Sequence, residues 1–374
     1  MSSIYLHIPF CKKRCTYCDF HFSTSLKNKQ ELLKSMLLEI KLRKSYLKNK
    51  QIKTIYFGGG TPSLLSKNEI DLFLNSIYKN FNLSSNIEIT VEANPDDLTN
   101  SKIKDIKDCG VNRLSIGIQS FKDSDLKFMR RMHNSKQSLL CIENAKKHGF
   151  KNISIDLIFG LPKQTTLLWK KNLETAFSLD IQHLSAYCLT VEPNTLLAKQ
   201  VNTGLIKIDD ENSKKHFELL MNISKSYGFD QYEISNYCKV GFESIHNTNY
   251  WNGGWYLGIG PSAHSFNGKS RSWNKKNNNK YIELVNKNQN YFDSELLTSK
   301  EIYNEYIITR LRMGAGINIK DLLFHFELEI SDYFQDRIKN WIKQGMIQKA
   351  YGNYSLTSKG KLYADGICSD LFLD

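Results

Sequence analysis

No apolar run in this 374-residue chain approaches the roughly 20 residues that a bilayer-spanning helix requires. No basic and apolar leader precedes the first strand-like segment, which Met1-Ser2-Ser3 enters directly, so a cytoplasmic protein is expected. A second close cysteine pair is also missing, which disfavours structural zinc in its usual form of two short ligand pairs. Three clustered cysteines leave an odd thiol, and nothing marks the chain as secreted, so a disulfide framework is not expected either. Acidic residues are the minority charge, 38 against 51 lysines and arginines, for a net charge of +13. That balance suits nucleic acid, acidic lipid headgroups or an anionic small molecule. It is diffuse, as in Lys269 to Lys280, so general lysine richness accounts for it and nucleic acid is not an expected partner.

What is present is enough apolar material for a packed core: 41% hydrophobic and 12% aromatic residues, in a length that suits one large domain and a smaller one. Immediately after the first strand-like run, Ile4 to Phe10, stand Cys11, Cys15 and Cys18 in the spacing C-x3-C-x2-C. Thiolates gathered so tightly make a cage for soft metal. Zinc would need a fourth ligand, which His7 or His21 could supply. A 4Fe-4S cluster held by three thiolates instead keeps one iron open to a non-protein ligand. The scattered Cys109, Cys141, Cys188, Cys238 and Cys368 read as reduced core thiols.

From residue 4 to about 190, β-rich runs alternate with helical patterns: Ile4 to Ile8, Thr54 to Phe57, Ile87 to Val91, Arg113 to Ile118, Ile153 to Ile158 and His183 to Leu189. Parallel strands with crossover helices follow, in either a doubly wound sheet or a partial barrel. The first helix carries Leu33, Leu37, Ile40 and Leu47 along one side. Asp209 to Tyr227 reads as a helix, Gln231 to Ile234 as a strand, and Trp255 to Phe266 as a glycine-punctuated turn region. From Thr298 the pattern turns to helices followed by a hairpin. Ser331 is expected to cap a helix bearing Phe334, Ile338 and Trp341, with Gly345 at its end. The strands Met346 to Ala350 and Tyr354 to Thr357 then flank a Gly352-Asn353 turn. A winged-helix-like module results, and its expected role is packing or covering the barrel mouth.

In wound sheets and barrels the functional end lies where strands finish. The unusual polar residues of the first half fall there: the cysteine loop, Gly58-Gly59-Gly60-Thr61-Pro62, Glu92 before Ala93-Asn94-Pro95, Gln119, and Asp156 before Gly160-Leu161-Pro162. Glycines let a ligand approach bare backbone, although such a turn also occurs as an ordinary strand-to-helix connection.

The segment Tyr5 to Phe20, with its cysteine spacing and Tyr17 just before the third cysteine, resembles the radical S-adenosylmethionine (SAM) family. The resemblance selects the partial (β/α)6 barrel, with extra strands and a smaller C-terminal winged-helix-like domain. It divides the chain into a core at 1–200, a barrel extension at 201–297 and a C-terminal domain at 298–374. It also implies a 4Fe-4S cluster on Cys11, Cys15 and Cys18. The open iron of such a cluster binds the amino and carboxylate groups of SAM, and an electron passed through it splits SAM into methionine and a 5'-deoxyadenosyl radical. By position, Tyr5, Tyr17, Gly59, Gly60, Thr61, Glu92, Gln119, Arg131 and Asp156 fall where relatives contact SAM. The chemistry is consistent: Arg131 can pair a carboxylate, and Glu92, Gln119 and Asp156 offer acceptors for amino or hydroxyl groups.

Over almost its whole length, through Glu233-Ile234-Ser235-Asn236-Tyr237 to the hairpin, the chain is most similar to the oxygen-independent coproporphyrinogen III oxidases and the heme chaperones related to them. The oxidases carry a further cysteine two residues after the third, where this chain has Phe20. The chaperones carry H-N-x-x-Y-W, here His246 to Trp251. The resemblance therefore implies a chaperone that binds a 4Fe-4S cluster, SAM and heme and delivers heme to acceptor proteins, without oxidase activity. His246 is the favoured heme contact, since imidazole can ligate iron while flat rings pack on the porphyrin. The alternative is a histidine hydrogen-bonded beneath an aromatic lid, and His264 is a second candidate ligand. A flavodoxin-type electron donor is implied if SAM is cleaved, and the basic surface is compatible with heme propionates or transient contact with acidic lipid. The rival is oxidative decarboxylation of coproporphyrinogen III, and a third reading is an RNA-modifying radical SAM protein.

Overall fold

The computed structural model describes residues 1–47 and 50–373. Six strands alternate with helices through the first half: β1 (Ser2–Ile8), β2 (Ile52–Gly59), β3 (Leu83–Ala93), β4 (Arg113–Gln119), β5 (Ile153–Phe159) and β6 (His183–Cys188). Each pairs in parallel with the next. A doubly wound sheet reverses its strand order at a switch point. Here the order never reverses from β1 to β6, so every crossover carries the sheet round in the same sense, which is the partial barrel. Strands covered on both faces need apolar residues on both faces, and β4 is buried at all of its positions.

The outer helices start where the local chemistry provides for it. Ser66 and Glu69 form a reciprocal capping box ahead of Lys67–Asn80, and Asn134 and Gln137 do the same ahead of Ser135–Lys147. The first helix, Lys29–Leu42, buries Leu33 and Ile40 with Leu37 half-buried. It ends before Leu47, which enters the same core from the following turn.

After β6 the chain feeds both edges of the sheet. The predicted helix is Asp210–Ser226, with Asp209 capping it. Then β7 (Asp230–Glu233) and β8 (Asn236–Cys238) add antiparallel beyond β6. The segment expected to be a turn region is instead two strands, β9 (Trp255–Ile259) and β10 (His264–Phe266), joined by a tight bend. β9 pairs in parallel with the free edge of β1, and β11 (Ser270–Asn274) and β12 (Phe292–Leu296) continue outward antiparallel. The glycines misled the sequence reading because they serve close packing: a Cβ on Gly258 would strike the His264 backbone. Buried Glu39, reaching in from the first helix, holds this bend. It accepts from the Gly260 amide at 2.9 Å, from Asn274 Nδ2 at 2.8 Å and from the Tyr281 hydroxyl.

The C-terminal module has an apolar core of its own, including Tyr303, Ile307, Phe334, Ile338 and Tyr354. Its order is helix Ser299–Arg312, β13 (Ile317–Asn318), helices Ile319–His325 and Leu328–Lys343, then β14 (Ile347–Ala350) and β15 (Asn353–Leu356), a winged-helix arrangement. Two details differ from expectation. Glu327, not Ser331, precedes the long helix, and Ser331 lies inside it, buried with its hydroxyl unpartnered. The hairpin loop is Tyr351-Gly352, one residue earlier than predicted, because Ala350 pairs with Asn353 and both loop residues take positive φ. Among the described residues, no helix is long and apolar enough to cross a membrane.

Candidate functional site

The C-terminal ends of β1 to β5 bring the polar residues named from sequence to one rim. Cys11, Cys15 and Cys18 lie on the loop after β1, half-buried and free of disulfides. That loop is tied to the strands by backbone. Cys11 N donates to Ser23 O at 3.0 Å, and Gly60 N donates to Ile8 O at 2.9 Å, which sets the β2 turn directly against it. The fit leaves no room for a side chain: a Cβ on Gly60 would stand 2.7 Å from Phe10 O and 2.8 Å from Phe10 N. Gly59, at φ +106, could not take one either, because His7 stands 2.7 Å from where it would be.

The thiols sit close enough to act on one another. Burial pushes the Cys18 thiol up to about 11, and Cys15 and Cys11 push it in the same direction. Burial likewise raises Cys11, against a 3.3 Å hydrogen bond from the Thr61 hydroxyl and the charge of Arg131. Cys11 and Cys18 thus resist ionisation alone and are ready to exchange their protons for metal. Among the described residues, no three His, Cys, Asp or Glu side chains group tightly enough for a single ion. An iron-sulfur cube makes a different demand, since each thiolate meets a different iron. The histidines proposed for zinc are otherwise engaged. His7 bonds the Tyr5 hydroxyl through Nδ1 at 3.2 Å and the His21 carbonyl through Nε2 at 2.9 Å, while His21 Nε2 meets Asn278 Oδ1 at 2.7 Å.

Arg131 reaches in from the far side. Its Nη2 donates to Asn94 Oδ1 at 2.5 Å and to Gly117 O at 2.8 Å, and Nη1 lies 3.5 Å from Cys15 Sγ. Its buried Nε has no partner. A guanidinium fixed beside the thiols with a donor to spare fits an anionic group arriving there. Gln119 ends β4 with φ +66, an unusual conformation for a residue with a side chain, and its amide stands over Gly117 beside Arg131.

Glu92 and Asp156 complete the rim. Glu92 accepts from the Tyr56 hydroxyl at 2.8 Å and the Gly59 amide at 3.2 Å. Burial, with the Asp156 charge nearby, pushes it up to about 7. Asp156 is raised to about 6 by burial, against the Ser185 hydroxyl and Arg113. Two half-buried carboxyls with raised pKa form a receptor for cationic and hydroxyl groups. Tyr5 and Tyr17 are also raised by burial and remain phenols. The sequence reading missed Asn94, which ties Arg131 to the Thr61 hydroxyl (3.2 Å), as well as Tyr56 and buried Arg113. Asn94 had a signal, its place directly after Glu92-Ala93. Tyr56 and Arg113 had none, because within a strand they read as ordinary filling.

His246, which the resemblance implies as the favoured heme contact, is closed in on all sides. It lies in the helix Ile245–Trp251 and is 1% exposed. Nδ1 meets the Thr54 hydroxyl at 2.7 Å and Nε2 the Tyr250 hydroxyl at 3.1 Å, while the ring stacks on Tyr56 at 4.7 Å. Burial, then Arg113, holds it down to about 3. In this arrangement it is a neutral histidine under an aromatic lid, with no ring nitrogen free for iron.

The chain's similarities extend over its whole length. A profile for the radical SAM superfamily matches residues 5–167, and one for the HemN C-terminal domain matches residues 297–363. The chain is 36% identical to the heme chaperone HemW of Bacillus subtilis over 371 residues, covering 98% of each. It is 33% identical to the heme chaperone HemW of Buchnera aphidicola, covering 100% of this chain and 98% of that one. Among solved structures, Escherichia coli coproporphyrinogen III oxidase (HemN) superposes with a TM-score of 0.86 at 22% identity, over 99% of this chain and 90% of that one, a likeness of fold.

Proposed function

The chain belongs to the HemW family of the radical SAM superfamily, and from that premise we propose that it is a heme chaperone that holds a 4Fe-4S cluster and SAM and passes heme to acceptor proteins. The observation that carries the reading is the set of three free thiols on one loop, Cys11 bonded by Thr61 and Cys15 by Arg131, on the rim that also bears Glu92, Gln119 and Asp156. Cys11, Cys15 and Cys18 hold the cluster. When bound, the cluster supplies an electron path to the ligand on its open iron.

The chain's own residues bind and orient that ligand. Arg131 pairs its carboxylate, with Asn94 and the Gly117 carbonyl fixing the guanidinium plane. Glu92 and Asp156 accept from its ammonium and hydroxyl groups. Glu92, raised to about 7, gives up its proton as a cation arrives. Gly59 and Gly60 keep the β2 turn thin enough for backbone contact, with Thr61 bridging to Cys11, and Tyr5 and Tyr17 wall the site. His246 contributes by fixing the Tyr250 hydroxyl from beneath. The protein acts in the cytoplasm, with a flavodoxin-type donor wherever SAM is cleaved, and its net charge of +13 favours acidic acceptors or transient contact with acidic lipid.

Oxidative decarboxylation of coproporphyrinogen III is the second reading, favoured by the shared fold with HemN. It is opposed by Phe20 two residues after Cys18, where the oxidases carry cysteine. The deciding experiment supplies reduced, cluster-loaded protein with SAM and either coproporphyrinogen III or hemin plus an apo-hemoprotein. Heme transfer without protoporphyrinogen formation is expected. Catalytic turnover of the porphyrinogen would overturn the chaperone reading.

A further inference from the structure

We propose that the cargo heme sits in the cavity between the cysteine loop and the β9–β10 bend, with His264 as the axial ligand of its iron and Lys276 pairing a propionate. This rests on the heme-chaperone reading above. The cavity measures about 390 Å³, within the range of small-molecule sites. Its lining offers aromatic rings to a flat macrocycle and Lys276 to a carboxylate, with Asp19 the one acidic side chain among them. Tyr5, Tyr250 and Tyr256 line it, together with Phe20 of the cysteine loop, which is 68% exposed. A partly open site also suits a cargo that must leave.

The choice of His264 follows from what each histidine is already doing. His7 has both ring nitrogens in hydrogen bonds, as does His246, which is also buried away from the cavity. His21 gives Nε2 to Asn278. His264 is exposed and lines the cavity, and its ring makes no hydrogen bond among the described residues. Partial burial and the nearby Arg271 lower its pKa, so the imidazole is neutral and ready to ligate at physiological pH. Its position is rigid, because Glu39 anchors Gly260 and Asn274 on either side of the bend that carries it. Lys276 lines the same cavity, exposed and without an ion-pair partner among the described residues, a suitable counterion for a carboxylate at the rim.

The test is hemin titration of cluster-loaded full-length protein, followed by reduction and Soret-excited resonance Raman spectroscopy of the iron–imidazole stretch. His264→Ala, at an exposed position, is expected to abolish the stretch and weaken hemin binding by about tenfold, and added imidazole should restore the stretch. Lys276→Gln should weaken binding by about three- to fivefold and leave the stretch intact. Persistence of the stretch in His264→Ala, or its loss in His21→Ala or His246→Ala instead, would overturn the assignment and leave the heme reading standing. Wild-type protein that takes up no ligated hemin would remove both.

Discussion

Replacing Glu92 with glutamine is the sharpest probe of the rim. The carboxylate accepts from the Tyr56 hydroxyl and the Gly59 amide, and in the proposed site it also meets the ammonium or ribose of SAM. A hydrogen bond to a charged group is worth about 1.5–3 kcal/mol, so Glu92→Gln should weaken SAM binding by about 10- to 150-fold at pH 8. The pH dependence is more diagnostic. With Glu92 at about 7, the carboxyl is about 9% ionised at pH 6 and about 91% at pH 8, a roughly tenfold change in the population able to accept a cation. The wild-type advantage over Glu92→Gln should therefore shrink by about tenfold between pH 8 and pH 6. Taking the ratio cancels titration of the ligand itself. Equilibrium dialysis of SAM against cluster-loaded protein across this range measures it. A ratio that stays constant with pH would refute the argument that burial and Asp156 hold Glu92 at that value.

The same two carboxyls affect stability in the opposite direction. Both are raised above their values in the unfolded chain, so the stability they contribute is fully present below about pH 4 and is lost as pH rises through 6 to 7; metal-free protein should melt progressively lower from pH 5 to pH 8, and less steeply as Glu92→Gln, by calorimetry. Gly60→Ala should cost about 1–3 kcal/mol in denaturant unfolding, because its Cβ meets the Phe10 backbone rather than a side chain that can turn away. Glu39→Ala should cost about 3–5 kcal/mol, leaving Gly260, Asn274, Tyr281 and Arg43 without the buried acceptor they share. Cys15→Ser should abolish the visible absorption of anaerobically reconstituted protein; a colourless wild-type protein holding one zinc ion would overturn the cluster itself.

How much could be read before folding depended on how local each signal was. The cysteine loop was legible because its three thiols lie within eight positions, and short-range spacing survives whatever the fold does around it. The six core strands were legible as β-rich runs separated by helical periodicity, each found within a few residues of its ends. The β9–β10 segment was not, because Gly258 and Gly260 signal a turn locally while serving close packing in the sheet. Ser331 failed for a related reason: a residue suited to capping was placed inside a helix that begins three residues earlier.

The amino-acid order alone determined the cysteine loop, the alternation that demands parallel strands, and the family to which the chain belongs, since each is a pattern among near neighbours. Only the tertiary structure decided which way the sheet turns, that β9 docks on β1, and that Glu92 and Asp156 share one rim whose desolvation raises both carboxyls. It also decided that His246 is closed in by Thr54 and Tyr250 while His264 stands open to a cavity. Burial and hydrogen-bond partners come from residues as many as 257 positions apart, and no local pattern records who those partners will be.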